Sequence, residues 1–334
     1  MVFGMTSPAR TGLANQWSQP RPVGAPLPLA LGTMNFGKRT NAAEAERIIH
    51  RALERGIALF DTANVYCDGE SERILGRALR NRSAGVSIAT KVGFGRVSGK
   101  LEGLAPERIG AAVDESLARL GTDSVDLYYL HVPDPATPIE ASLEALAALL
   151  AGKKIGSFGI SNYASWQALE ILLACDAAKM PRPVISQQLY NMMIRQLDLE
   201  YFRFARKYSV HTTIYNPLAG GLLSGRYTSA DKIEKGSRFD QNRLYQGRYW
   251  SSAMISFAGE LGRVAESENM SLVDFAYAWL ASRSEVDSIL IGPGSIDHLD
   301  QAIDAVSKPI SPEAVKRVDA LYKDFQGTDA SYAR

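Results

Sequence analysis

The run Val125-Asp126-Leu127-Tyr128-Tyr129-Leu130-His131, then Thr137-Pro138-Ile139-Glu140, then Ile155-Gly156-Ser157-Phe158-Gly159-Ile160, decides the fold. The first and last pieces are short apolar runs rich in aromatic and β-branched residues, and they read as strands. Between them, Thr137 to Glu140 reads as a capping box with proline at the first helical position. Leu143, Leu146 and Leu150 recur at helical spacing, and Gly152 before Lys153-Lys154 ends that helix. Ser161-Asn162 opens the next one. Strand, helix, strand in this order is a parallel β-α-β unit.

The same alternation extends in both directions. Strands are expected near 28–33, 56–61, 86–91, 125–131, 155–161, 183–188, 210–216 and 287–292. Ile109, Val113, Leu117 and Leu120 mark an earlier helix with one buried face. Eight strands with intervening helices predict a closed (β/α)8 TIM barrel, a single domain over 27–334. Two segments exceed the repeat: a long loop over 217–250 after strand seven, and a C-terminal helix and tail over 311–334. Residues 1–26 carry Pro, Ser and Gly and read as a flexible tail.

Composition narrows the function classes. A hydrophobic content of 46% and a charged content of 22% suit a globular protein. A formal net charge of +1 offers no general attraction to nucleic acid or an anionic membrane. No apolar run approaches the roughly 20 residues that span a bilayer. Two cysteines, Cys67 and Cys175, without C-x-x-C spacing, point to free thiols in a reducing compartment. The tail lacks an apolar signal core, which argues against secretion, and its lack of acids before Glu44 is not joined by an Arg-rich amphipathic pattern. A cytoplasmic location is expected.

In a parallel barrel, chemistry sits where strands end. Asp61, Lys91, His131, Ser161, Gln187 and Tyr215 all stand there, and Tyr66 follows Asp61 closely. A phenol, an ammonium, a carboxylate and an imidazole from neighbouring strands make a proton-transfer site. A phenol as acid suits carbonyl reduction, where an alkoxide is protonated as it forms. Each residue alone has a blander reading: a helix cap for Asp61, a packed aromatic for Tyr66, a solvated Lys91, a core His131. Their joint placement favours chemistry. A metal is not required, since no H-E-x-x-H or Cys/His ligand spacing occurs.

The motifs Phe60-Asp61-Thr62-Ala63-Asn64-Val65-Tyr66, Ala89-Thr90-Lys91, Leu130-His131, Gly159-Ile160-Ser161-Asn162 and Asn216-Pro217-Leu218-Ala219-Gly220-Gly221 resemble those of aldo-keto reductases. His131-Val132-Pro133-Asp134, Asn162-Tyr163-Ala164 and Arg248-Tyr249-Trp250 are similar to the aflatoxin aldehyde and succinic semialdehyde reductase branch. The resemblance runs from about residue 28 to the C-terminus.

The resemblance implies Tyr66 as general acid, with Lys91, Asp61 and His131 in support. An ammonium about 4 Å from the phenol, at an effective dielectric near 20, is worth roughly 4 kcal/mol, about three pK units. Lys91 is therefore expected to lower the Tyr66 pKa, with Asp61 tempering the shift. His131 would also orient the substrate carbonyl.

For the cofactor, the resemblance implies NADPH lying across the barrel mouth. Ser161, Asn162 and Gln187 would bind the carboxamide, and Tyr215 would stack on the nicotinamide. Asn216, Pro217, Leu218, Gly220, Gly221, Leu222, Gly225 and Arg226 would wrap the pyrophosphate. Gly294, Ser295, His298, Gln301 and Ala302 align with the adenosine segment. Lys and Arg are missing from 292–302, so Arg238 is the candidate partner for a 2′-phosphate and NADH use stays open. A G-x-G-x-x-G fingerprint is absent, which argues against a Rossmann fold.

For the substrate, Tyr245, Arg248 and the C-terminal Arg334 match positions that hold a carboxylate, and two guanidiniums can clamp one bidentately. The implied activity is reduction of aldehydes, including carboxylate-bearing aldehydes, dicarbonyls and some ketones. The family also includes dedicated biosynthetic ketoreductases and channel-associated nicotinamide-binding subunits with slow turnover. A homodimer is the family's expectation.

Overall fold

Strands buried along most of their length need cover on both faces, and a ring of helices around a closed sheet supplies it. The computed structural model describes residues 15–80 and 85–327. Its strands are β1 (Leu29–Gly32), β2 (Leu59–Asp61), β3 (Ser87–Val92), β4 (Arg96–Val97), β5 (Lys100–Leu101), β6 (Val125–Leu130), β7 (Ile155–Ser161), β8 (Ile185–Leu189), β9 (His211–Tyr215) and β10 (Ser288–Ile291). All but β4 and β5 close into a parallel barrel in the order β1-β10-β9-β8-β7-β6-β3-β2. This is the (β/α)8 barrel expected from the sequence.

The helices are α1 (Ala42–Glu54), α2 (Glu70–Ala78), α3 (Pro106–Leu120), α4 (Ile139–Ala151), α5 (Ser165–Ala177), α6 (Tyr201–Lys207), α7 (Arg243–Tyr249), α8 (Ser252–Ser267), α9 (Leu272–Ser282), α10 (Ile296–Ala305) and α11 (Pro312–Gln326). On α3, Ile109, Val113, Leu117 and Leu120 are buried, as their spacing predicts. Each such side chain contributes about 1.5–3 kcal/mol on burial.

Local details differ from the sequence reading. The expected capping box does not form: Pro138 stands at the N-cap of α4, and the Thr137 hydroxyl donates to Asp134 Oδ2 at 2.7 Å. With Pro138 at the N-cap, Thr137 stands one residue before the capping position, and its hydroxyl bonds the aspartate instead. Gly152 keeps right-handed geometry and Lys153 takes the left-handed turn, at φ 57°. Ser161-Asn162 does not cap α5, which begins at Ser165 with Ala164 at its N-cap. The long loop holds a 3-10 turn over Ala219–Ser224 and the short helix α7.

The N-terminal end of the barrel is stoppered. Trp17 is buried against Ala30, Leu59, Ala89, Leu127, Tyr129 and Ile185 inside the barrel. Arg21 donates to the carbonyls of Val286 at 3.0 Å and Arg283 at 2.8 Å, and its backbone N–H donates to Asp287 Oδ1 at 2.6 Å. The tail read over 1–26 is thus docked in its part from Trp17 to Arg21, because an aromatic plug covers apolar surface the strand starts leave open. Residues 1–14 lie outside the described residues, as do 328–334. Among the described residues no helix is long and apolar enough to cross a membrane.

Candidate active site

The opposite, C-terminal end of the barrel opens into a cavity of about 1330 Å³, lined by Asp61, Tyr66, His131, Ser161, Gln187 and Tyr215 among others. That volume exceeds the usual small-molecule pocket and suits a dinucleotide with a second, smaller compound. The strand ends assembled by sequence position therefore converge.

Lys91 lies beneath the floor of this cavity, fully buried. Its Nζ donates to Asp61 Oδ1 and, at 2.8 Å, to the Thr62 carbonyl. Gln187 Nε2 donates to the other Asp61 oxygen at 2.9 Å. Burial pushes the Asp61 carboxyl up and the Lys91 ammonium down, and each opposes the other's shift through its charge. Their mutual attraction and hydrogen bonds favour the charged forms that burial disfavours.

Tyr66 opens a 3-10 turn after β2, and its ring stands edge-on to His131, centroids 5.9 Å apart. Cys67 and Asp68 follow in left-handed geometry, φ 49° and 53°, a sharp turn that such residues adopt at some cost. Burial, and then the Asp61 charge, push the Tyr66 phenol well above its ordinary value. This reverses the expectation that Lys91 lowers it. Nζ is 5.2 Å from the ring centroid and committed to Asp61 and Thr62, so the pair as a whole presents little net charge.

Burial, and then Lys91, hold the His131 imidazole well below its usual value, so it is neutral at pH 7. Its Nδ1 is buried and has no hydrogen-bond partner among the described residues. The site thus presents a protonated phenol and a neutral imidazole side by side.

Ser161 and Asn162 act at the end of β7. Ser161 Oγ donates to the Gln187 carbonyl at 3.0 Å, and Asn162 Nδ2 donates to the His131 carbonyl at 2.9 Å. Asn162 Oδ1 accepts from the Tyr215 hydroxyl at 2.7 Å. After β9, Asn216 Oδ1 accepts from the Gly220 N–H at 2.8 Å, which tightens the turn onto the strand end. Gly220, Gly221 and Gly225 all take left-handed φ, 71°, 106° and 76°, where a side chain would be strained. Pro217, Leu218, Gly220, Gly221 and Arg226 line the cavity. Leu222 does not: it is buried in the core, and Gly225 only ends the turn.

At the far end of the cavity stand His298, Gln301 and Ala302, with Val273 and Tyr277 of α9 completing the wall. Ser295 caps α10 instead, accepting from the His298 N–H at 3.3 Å, and Gly294 packs beside the His298 ring. Gln301 Nε2 donates to Asp274 Oδ1 at 3.0 Å.

Arg238, the candidate partner for a 2′-phosphate, lines the same cavity. It donates to the Tyr245 hydroxyl at 3.2 Å and to Asn35 Oδ1 at 3.1 Å, and its charge acts on the Tyr66 phenol. Arg248 lies over the rings of Tyr245 and Tyr249, 5.9 and 6.0 Å from their centroids, and also lines the cavity. Arg334 lies outside the described residues.

The sequence reading missed Met34, Asn35, Lys38, Phe94, Leu244 and the α9 residues. Asn35 and Phe94 follow β1 and β3 within a few residues, so the strand-end rule that found Asp61 could have found them.

The cavity volume, the Asn162 amide beside Tyr215, and the left-handed glycine turn at the mouth fit a nicotinamide dinucleotide. Comparison with known proteins agrees. The aldo/keto reductase family model matches residues 28–323. Aflatoxin B1 aldehyde reductase member 2 of Mus musculus is 35% identical over 321 residues, covering 90% of this chain and 86% of that protein. A probable voltage-gated potassium channel subunit beta of Arabidopsis thaliana is 29% identical over 307 residues, 90% of this chain and 93% of that one. The solved structure of a glycerol dehydrogenase from Gluconobacter oxydans superimposes with a TM-score of 0.75 at 26% identity, covering 96% of this chain and 99% of that chain. With the match running from the first barrel strand into the last helix, the chain belongs to the aldo/keto reductase family and is an oxidoreductase.

Proposed function

We propose that the protein reduces aldehydes, with some ketones and dicarbonyls, to alcohols at the expense of NADPH, with NADH as an alternative reductant. The observation that carries this reading is the Asp61–Lys91 pair buried beneath a protonated Tyr66 and a neutral His131. The bound nicotinamide supplies a hydride to the carbonyl carbon.

The chain's residues do the rest. Ser161, Asn162 and Gln187 hold the carboxamide, Tyr215 stacks on the nicotinamide, and the 216–226 turn encloses the pyrophosphate. His298, Gln301 and Ala302 face the adenosine. His131, neutral, hydrogen-bonds the carbonyl oxygen and orients it. Tyr66 keeps its proton at rest, because burial raises its pKa, and gives it up as negative charge grows on that oxygen. Lys91, 5.2 Å from the ring, offsets the Asp61 charge that would otherwise oppose the forming phenolate. Tyr245 with Arg248, joined by Arg238, holds a carboxylate on the substrate. A cytoplasmic enzyme, able to pair as a homodimer, is the setting this reading implies.

Steady-state oxidation of NADPH and of NADH with succinic semialdehyde, 4-nitrobenzaldehyde and methylglyoxal tests it. Multiple turnovers with a preference for the carboxylate substrate support the reductase. Tight dinucleotide binding without turnover on any of the three contradicts it and favours a sensing subunit, the direction in which the channel-subunit relative points.

A further inference from the structure

Between Lys91 and α3 the chain makes a small excursion, the β4–β5 hairpin, that neither the barrel nor the proton-transfer site requires. A single carboxylate organises it. Glu102 Oε1 accepts from the backbone N–H groups of Gly93 at 2.8 Å and Gly95 at 2.9 Å. Asn64 Nδ2 lies 3.0 Å from both Glu102 oxygens, and Arg108 Nε donates to Oε2 at 2.9 Å. The Glu102 side chain is 2% exposed, although the hairpin around it faces solvent.

The two glycines make this possible. Gly93 takes φ 112°, and a Cβ at Gly95 would lie 2.7 Å from Glu102 Oε1. With the backbone wrapped so closely on the carboxylate, the residue between the glycines is turned outward. That residue is Phe94. Its ring sits 5.4 Å from the His131 ring and forms part of the cavity wall, 42% exposed. A large aromatic side chain left open beside a reacting centre has apolar surface still to be covered.

We propose that Glu102 is a positioning residue that sets which carbonyl compounds the site accepts, by clasping Gly93 and Gly95 so that Phe94 packs against an aromatic aldehyde beside His131. This rests on the reductase reading and names a substrate class within it. Glu102 does not touch the substrate: it acts through Phe94, and through Asn64 it also ties down the segment that leads from Asp61 to Tyr66. Ring-on-ring packing contributes about 0.5–1.5 kcal/mol beyond buried area, so the expected selectivity is a few-fold to about tenfold.

The test compares KM and kcat for benzaldehyde and butanal in the wild type, Phe94→Ala, Phe94→Tyr, Glu102→Ala and the Phe94→Ala/Glu102→Ala double variant. Phe94→Ala should raise the benzaldehyde KM about five- to tenfold more than the butanal KM, and Phe94→Tyr should keep the wild-type ratio. Glu102→Ala should shift the ratio in the same direction, and the double variant should shift it no further than Phe94→Ala alone. Gly95→Ala, which presses a methyl onto Glu102, repeats the Glu102 arm if Glu102→Ala does not fold.

An unchanged ratio in Phe94→Ala overturns the proposal by itself. So does a Glu102 or Gly95 variant that slows both substrates equally, or a double variant whose shift is the sum of the single ones. A wild type that turns over neither aldehyde removes the reductase reading and the proposal with it.

Discussion

Gln187 Nε2 donates to Asp61 Oδ2 at 2.9 Å, from the middle of β8 to the end of β2, strands that are not neighbours in the barrel. The bond crosses the barrel interior. With Lys91 on Oδ1, it leaves the carboxylate held from two sides. Asp61 is therefore held in one orientation under Tyr66, and Gln187 has a structural duty beside the carboxamide contact proposed for it.

Removing one member of this pair strands the other in a buried place. Lys91→Met should cost about 3–5 kcal/mol of stability. Adding Asp61→Asn should recover most of that loss, while activity stays low. Urea denaturation at pH 7 measures both.

Two buried imidazoles make the fold acid-sensitive. Burial lowers the pKa of His131 and of His211, the latter with its ring nitrogens 2.8 Å from the Gln19 carbonyl and from Ser288 Oγ. Below about pH 6.5 the unfolded chain takes up protons that the folded one refuses. Stability is then complete above pH 6.5 and is lost as pH falls toward the folded values, by about 1.4 kcal/mol per unit for each group. Denaturation midpoints at pH 7, 6 and 5 should fall, and His211→Gln should flatten the slope.

Arg248 has no carboxylate partner among the described residues, and it lines the cavity beside Tyr245. Arg248→Met should raise the KM for succinic semialdehyde about tenfold to a hundredfold, the worth of a charge-assisted hydrogen bond of about 1.5–3 kcal/mol. The KM for propanal should stay within about twofold. An equal rise for both substrates would refute the clamp.

Since burial raises the Tyr66 phenol, its ionisation does not limit reduction near neutrality. The profile of kcat/KM should lack any phenol-derived fall below about pH 10, the free phenol value. A fall centred near pH 7 would show that Lys91 lowers the phenol after all.

Much of the site was legible because a parallel barrel converts sequence position into spatial position. Asp61, Ser161 and Tyr215 meet because each ends a strand, His131 follows one directly, and Gln187 lies mid-strand at the level of Ser161. What stayed hidden depends on contacts between segments far apart in the chain. Trp17 became a stopper only once the strand starts left a hole for it. Arg238 turned toward Tyr66 because Asn35 and Tyr245 take its donors. Glu102 carries no local sequence signal of its role, which exists only because the backbone of Gly93 and Gly95 closes on its carboxylate. The direction of the Tyr66 shift failed from sequence for a different reason. Charge was weighed without burial, and burial dominates.

The most direct measurement is single-turnover reduction by Tyr66→Phe, with dinucleotide binding followed in parallel by fluorescence. A general acid contributes about 10²–10⁴-fold. The variant should lose at least about a hundredfold in the chemical step while binding the dinucleotide as the wild type does. A Tyr66→Phe rate within a few-fold of wild type, with binding intact, would contradict the assignment of Tyr66 as the proton donor.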